Sequence, residues 1–269
     1  MKPSFLKSGL QMRWYNTAGF EIRMANGKHI LVDPYLNASV NGLPCYPFDL
    51  DRISRCDYLL LSHIHFDHAQ DVELIQKKFP DLRLFVGDLS ADPLCQWQDI
   101  SCSKLYRVRP GEIIQFQDLK IEVFAGRHTE ASRGSRRAKS VDPATGKFRP
   151  DDWFGSLELQ NYLLITCDGT RILIWAGMTS EDQIYRFGGL CPDIALMHIS
   201  PKQSFGEFAR LVKAINPKII VPHHYDCTEV LFHAIPQMMD DMSQENKDAF
   251  VRDGKFDFNQ YMTALEAAC

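Results

Sequence analysis

The sequence lacks the features that are typical of membrane, nucleic-acid-binding and secreted proteins. No apolar run approaches the length of a membrane-spanning helix. The formal net charge of −4 lacks the basic excess of a general nucleic-acid binder. Residues 1–15 contain neither the apolar stretch nor the small-residue cleavage site of a secretory signal. We therefore predict a cytoplasmic protein without a membrane span. We expect its substrate to be a small molecule and not a nucleic acid. A homo-oligomer is compatible with the sequence.

Cysteine is present but carries no recognisable pattern. The eight cysteines are scattered along the chain, and none forms a Cys-x-x-Cys pair. This spacing disfavours zinc held by cysteine. In a reducing cytoplasm we expect the thiols to be free.

Hydrophobic patterning indicates an α/β protein. Hydrophobic residues make up 45% of the 269-residue chain, which is enough for a sizeable core. The first half consists mainly of short strand-like runs, with one helical stripe predicted at 69–79. In the second half, strands alternate with helical stretches, which we predict at 181–187, 205–215, 228–235 and 258–267. This pattern predicts two mixed sheets packed face to face, with helices outside, in a single domain over 1–269.

One basic stretch interrupts the pattern at about 129–154. It is rich in arginine, lysine, glycine, proline and serine and has few apolar residues, so we predict an inserted exposed loop. Arg133 and Arg136 are candidate substrate-binding residues, because arginine suits bidentate recognition of phosphate or carboxylate. The alternative is a solvated charged loop without a binding role.

The most informative segment lies between the buried apolar run at 58–61 and the helical stripe. His63, His65, Asp67 and His68 fall within six residues there. His63 and His65, two positions apart in extended backbone, project to the same side. Burying these side chains without a cation would leave several polar groups short of partners. The segment therefore predicts a site for a divalent cation.

The His-x-His-x-Asp-His pattern after an apolar strand resembles the signature of the metallo-β-lactamase superfamily. The strand ends at Asp33, His128 and His224 are similar to further segments of that superfamily. The opening of the chain and its late His-Tyr pair most resemble the branch that contains ascorbate-6-phosphate lactonase. This resemblance implies an αβ/βα four-layer sandwich of two mixed β-sheets flanked by helices, with metals at one edge between the sheets.

The resemblance also implies a ligand set for Zn²⁺ or Mn²⁺, with one ion firmly expected and a second less so. Three imidazoles would hold the first ion, and a carboxylate with two imidazoles would hold the second: His63, His65 and His128, then Asp67, His68 and His224. We prefer His224 to His223 because it directly precedes Tyr225. His223 then points to the other side of its strand.

The sequence departs from the superfamily pattern at two positions. Met178 stands where relatives carry a bridging aspartate, and a neutral thioether is a weak ligand for such ions. Thr17 stands where relatives often carry histidine. Three interpretations follow: a single tightly bound ion; replacement of the carboxylate by His198, Glu130 or Asp226; or loss of catalysis with the fold kept for binding.

The expected activity is hydrolysis of a small, anionic ester, lactone or phosphoester. A bound ion lowers the pKa of its water toward about 7, and Asp67 is the candidate catalytic residue that orients the water and accepts its proton. Asp33 is a candidate hydrogen-bond acceptor for a ligand imidazole, or simply a turn residue before Pro34. The alternative function is a non-catalytic or weakly catalytic protein that binds metal or a ligand through a degraded second site.

Overall fold

Two six-stranded β-sheets organise the chain. The computed structural model describes residues 9–36, 50–128, 144, 158–226 and 242–269. Among the described helices, none has the length and apolar character needed to cross a bilayer. The described cysteines are all free, as expected: Cys56, Cys95, Cys102, Cys167, Cys191 and Cys269.

The first sheet is built in chain order and contains an antiparallel half and a parallel half. Strands β1 to β3 pair antiparallel, and β3 to β6 pair parallel. Its strands are β1 (Gln11–Trp14), β2 (Phe20–Arg23), β3 (His29–Val32), β4 (Tyr58–Leu60), β5 (Arg83–Gly87) and β6 (Leu105–Val108). Its helices are α1 (Phe66–Ala69), α2 (Val72–Lys78) and α3 (Asp88–Gln98), with 3-10 turns at Leu50–Arg52 and Cys102–Lys104.

The second sheet repeats this mixture in the same order along the chain. Strands β7 to β10 pair antiparallel, and β10 to β12 pair parallel. Its strands are β7 (Ile113–Gln115), β8 (Leu119–Ala125), β9 (Gln160–Thr166), β10 (Arg171–Trp175), β11 (Ile194–His198) and β12 (Ile219–His223). The remaining elements are α4 (Glu181–Phe187), α5 (Phe205–Ile215), α6 (Gln244–Phe250), a small hairpin of β13 (Val251–Arg252) and β14 (Lys255–Phe256), and α7 (Phe258–Ala268).

Three apolar layers separate four layers of secondary structure. Leu60 of β4 packs between the two sheets, whereas its neighbours Leu59 and Leu61 pack against the helices of the first sheet. This alternation is what a strand buried on both faces requires. A third cluster joins the outer face of the second sheet to α5, α6 and α7. The predicted αβ/βα sandwich of two mixed sheets is therefore confirmed.

The helices were predicted less well than the strands. The helix predicted at 69–79 is present but shorter, because α2 covers Val72–Lys78 and Ala69 ends the separate helix α1. The break coincides with Asp71, whose buried carboxylate accepts a hydrogen bond from the backbone nitrogen of Leu36. The helix predicted at 228–235 lies outside the described residues. So does the basic insertion, apart from the exposed Ala144.

One hydrogen bond joins the sheets directly beneath the histidine segment. The hydroxyl of Tyr162 on β9 donates to the carbonyl oxygen of Leu61, at 2.7 Å. Both groups are buried, so removing the donor leaves an acceptor without its partner in an apolar layer. Such a loss typically costs about 1–3 kcal/mol.

We therefore predict that Tyr162→Phe lowers the free energy of unfolding by about 1–3 kcal/mol. Urea denaturation followed by circular dichroism measures the change. Tyr185→Phe is the matched control, because Tyr185 is 87% exposed and should lose little when the same atom is removed. Equal stabilities of the two variants would contradict the importance of this bond.

Candidate metal centre

Three histidines from two sheets form the first cluster of potential metal ligands. His63 and His65 follow β4, and Nε2 of His63 lies 2.9 Å from Nδ1 of His65. His128 follows β8, and its ring centroid lies 5.1 Å from that of His63 and 4.6 Å from that of His65. One donor nitrogen from each residue falls within 4.8 Å of the others. We call these three residues the first cluster.

A second cluster lies beside the first. Asp67 and His68 are on α1, and His224 follows β12. Oδ2 of Asp67 lies 3.3 Å from Nε2 of His224 and 3.7 Å from Nε2 of His68. Their donor atoms also lie within 4.8 Å of one another. The ring centroids of His63 and His68 are 3.9 Å apart, so the two clusters adjoin.

Asp33 fixes the turn that carries the local ligands. Its Oδ1 accepts a hydrogen bond from the backbone nitrogen of Ser62 at 2.7 Å. Its Oδ2 accepts one from the Ser62 hydroxyl at 2.6 Å and lies 3.0 Å from Nδ1 of His68. The residue is fully buried and has a positive φ of 40°. Asp33 thus occupies Nδ1 of His68 and leaves Nε2 directed to the second cluster.

Ser62 orients the first imidazole of the segment in the same way. Its hydroxyl oxygen lies 3.0 Å from Nδ1 of His63. Since the hydroxyl hydrogen is given to Asp33, the oxygen accepts from the Nδ1–H of His63. Nε2 of His63 is then the unprotonated nitrogen that faces His65.

His224 is held by the segment around Thr17, which stands out in the sequence only because Thr17 departs from the superfamily pattern. The backbone nitrogen of His224 donates to the carbonyl oxygen of Thr17 at 2.9 Å, and the φ of His224 is 68°. The same oxygen accepts from the indole nitrogen of Trp14 at 3.0 Å. The backbone nitrogen of Thr17 donates to Oδ2 of Asp226 at 2.8 Å. Thr17 and Asp226 therefore position the strand end that carries His224, a role that no motif indicated.

The other residues singled out from the sequence occupy distinct places. His223 is buried, with Nε2 3.2 Å from the carbonyl oxygen of Trp175, which agrees with a side chain directed away from the site. His198 packs edge-on against His224, with ring centroids 4.5 Å apart. The half-buried Met178 donates its backbone hydrogen bond to the residue before His128, at 2.7 Å. Glu130, Arg133 and Arg136 lie outside the described residues.

The protonation states suit a divalent cation. Burial, assisted by the neighbouring histidines, lowers the pKa of His63 well below its ordinary value and keeps its imidazole neutral. Burial alone would raise the pKa of Asp67, but the charge of His68 and the hydrogen bond from His224 outweigh it and lower the pKa. Burial would lower the pKa of His68, but the charges of Asp67 and Asp33 outweigh it and raise the pKa, so an ion at the second cluster would displace the proton of His68. A neutral imidazole and an ionised carboxylate are ligands that zinc and manganese accept. The donor set therefore fits the expected ion.

Comparisons with known proteins identify a family and relatives with similar sequences. The family described as the Beta-lactamase superfamily domain matches residues 11–224. A protein of Polynucleobacter asymbioticus named "UPF0173 metal-dependent hydrolase" is 24% identical over 226 residues, covering 80% of this chain and 74% of that protein. A protein of the same name from Aeropyrum pernix is 25% identical over 234 residues, covering 82% and 85%.

A solved structure shares the fold. The crystal structure described as a possible metal-dependent hydrolase from Veillonella parvula superposes with a TM-score of 0.57. The match covers 81% of this chain and 84% of that one, at 16% sequence identity. At this identity the likeness supports the arrangement of sheets and helices and not the substrate.

The Asp33 contacts generate a direct test. We predict that Asp33→Asn lowers metal affinity by roughly 10- to 100-fold, the range for losing a hydrogen-bond partner of a ligand. The amide keeps the size of the carboxylate and tolerates the positive φ, but it lacks the charge and one acceptor oxygen. Competition with a chelating dye measures the affinity. An unchanged affinity would show that Asp33 serves only the turn.

Proposed function

Because the chain belongs to the metallo-β-lactamase superfamily, we propose that it is a metal-dependent hydrolase. The observation that carries the proposal is the meeting of two donor clusters at the ends of β4, β8 and β12. The relatives bearing the name metal-dependent hydrolase support the same activity class. The substrate that we propose is a small molecule.

Each cluster would hold one ion. The proposed ligands are His63, His65 and His128 for the first, and Asp67, His68 and His224 for the second. Bound there, Zn²⁺ or Mn²⁺ would supply Lewis acidity, which lowers the pKa of water and polarises the bond to be cleaved. The first cluster is the stronger site in this proposal because it consists of three imidazoles.

Asp67 is the proposed catalytic residue. Its carboxylate is ionised and adjoins both His68 and His224, and its side chain keeps 15% exposure. The group can therefore meet an incoming water, orient it through a hydrogen bond and accept its proton. Asp33 and Ser62 serve this chemistry indirectly, because they hold the turn on which Asp67 stands.

The proposed substrate class is an anionic ester, lactone or phosphoester. It rests on the resemblance to the ascorbate-6-phosphate lactonase branch and on the basic composition of the insertion that contains Arg133 and Arg136. Hydrolysis of a panel with one member of each class, in matched charged and neutral forms, would test this proposal. The cytoplasmic location and the possible homo-oligomer remain predictions.

One observation favours a second candidate function. Met178 offers a thioether in place of a carboxylate, which would weaken a second ion more than the first. A non-catalytic or weakly catalytic metal-binding protein is therefore the alternative. Such a protein would bind one ion and hydrolyse the panel slowly or not at all.

The metal dependence gives the main test. We predict that chelation abolishes hydrolysis, that added Zn²⁺ or Mn²⁺ restores it, and that His63→Ala loses both bound metal and activity. Elemental analysis and turnover on the panel measure both. His29→Ala is the control, since His29 is a buried histidine that pairs with Glu21 and lies outside both clusters. Full turnover by metal-free protein would refute the proposal.

The methionine gives a second test. We predict that Met178→Asp raises the occupancy of the second ion, because a carboxylate adds a charged oxygen ligand at the edge of the site. Metal per chain after equilibration at limiting zinc is the measurement, with Met178→Leu as the uncharged control. If the aspartate and leucine variants retain the same metal, position 178 is not a ligand position.

A further inference from the structure

A further imidazole borders the second cluster. His198 is the last residue of β11 and pairs in register with His223 of β12. Its ring lies edge-on to that of His224, with centroids 4.5 Å apart. The parallel pairing of β11 and β12 thus brings the ends of both strands to the same edge of the sheet, where His224 enters the site.

One ring nitrogen of His198 lacks a hydrogen-bond partner. The residue is 8% exposed, and its Nδ1 is buried without a hydrogen-bond partner. Nδ1 of its neighbour His223 is also buried without a partner, but Nε2 of that residue contacts the carbonyl oxygen of Trp175. A buried polar atom without a partner costs on the order of 1–3 kcal/mol. Because the ring of His198 also packs against His224 of the second cluster, its unpartnered nitrogen indicates a role for His198 toward the ion.

The second cluster also leaves a coordination position open. Asp67, His68 and His224 provide three ligand atoms, and zinc takes a fourth ligand, either from the protein or, at a catalytic site, from water. The half-buried thioether of Met178 is a weak candidate for the fourth. The imidazole of His198 is a better one, because zinc and manganese both accept imidazole nitrogen.

We propose that His198 supplies a further protein ligand to the ion at the second cluster. This inference rests on the proposed function, because it presupposes that the cluster binds an ion. The nitrogens of His198 are not part of the tight group of donors around Asp67. Ligation therefore requires the ring of His198 to move toward the ion.

The test compares two buried histidines that are paired across the same strands. His198→Phe removes both ring nitrogens and keeps a ring of similar size, and His223→Phe is the matched control. Titration of the metal-depleted proteins with Co²⁺ gives the stoichiometry, the affinities and the visible absorption of the bound ion. Thermal unfolding of each variant shows that it is folded before titration.

The wild type should bind two ions. In His198→Phe we expect the affinity for the second ion to fall by roughly tenfold or more. Removing a residue that only hydrogen-bonds to a metal ligand already lowers metal affinity by about 10- to 100-fold, and a ligand should contribute at least as much. The first ion should be unaffected, and His223→Phe should retain both. His198→Asp should recover part of the lost affinity, because it restores a ligand atom; this variant also decides between the outcomes if the phenylalanine variant fails to fold.

Equal affinities for both ions in the wild type and His198→Phe would overturn the inference and leave the proposed function intact. A fall in turnover while both ions stay bound would overturn it as well, since His198 would then act on substrate. A wild type that binds one ion, unchanged by the substitution, also overturns it. A wild type that binds no ion would overturn the proposed function itself.

Discussion

The rest of the site depends on the hydrogen bonds that the carboxylate of Asp33 accepts. This carboxylate accepts hydrogen bonds from the backbone nitrogen and the hydroxyl of Ser62 and lies within hydrogen-bond distance of Nδ1 of His68. One buried carboxylate therefore fixes both ends of the segment that carries the potential ligands from His63 to His68. The strand β3, which Asp33 follows directly, lies beside β4 in the parallel half of the first sheet. The position of the site is therefore set by strand pairing, and its orientation by a single side chain.

The two sheets contribute unequally to this edge. The first sheet provides a compact turn with four potential ligands, whereas the second provides single residues at the ends of β8 and β12. Those single residues need separate supports. Thr17 supports His224 from the first sheet, so a loop of one sheet positions a ligand of the other. The apolar layer between the sheets holds this arrangement at a fixed spacing.

Much of the fold and the location of the site could be predicted because both depend on local patterns. Continuous apolar runs marked the buried strands, and the spacing of His63, His65 and His68 marked the turn. Helix α3 was missed because Pro93 stands inside it and its sequence has little helical periodicity. The support of His224 by Thr17 was missed because it joins residues far apart in the chain. The group that accepts the hydrogen bond from His224 is the backbone carbonyl of Thr17. Every residue has such a carbonyl, so no sequence motif identifies it.

The distant origin of His128 and His224 has a consequence for how the protein is made. The turn from His63 to His68 is held by Asp33 of the same sheet, so its contacts require the first sheet and not the second. The complete donor clusters exist only after both sheets have formed and packed, because closing such long loops is entropically costly. A cation that needs ligands from all these segments would bind the finished sandwich and not its precursors. By mass action it would then stabilise the assembled state, and metal supply during synthesis would influence how much folded protein accumulates.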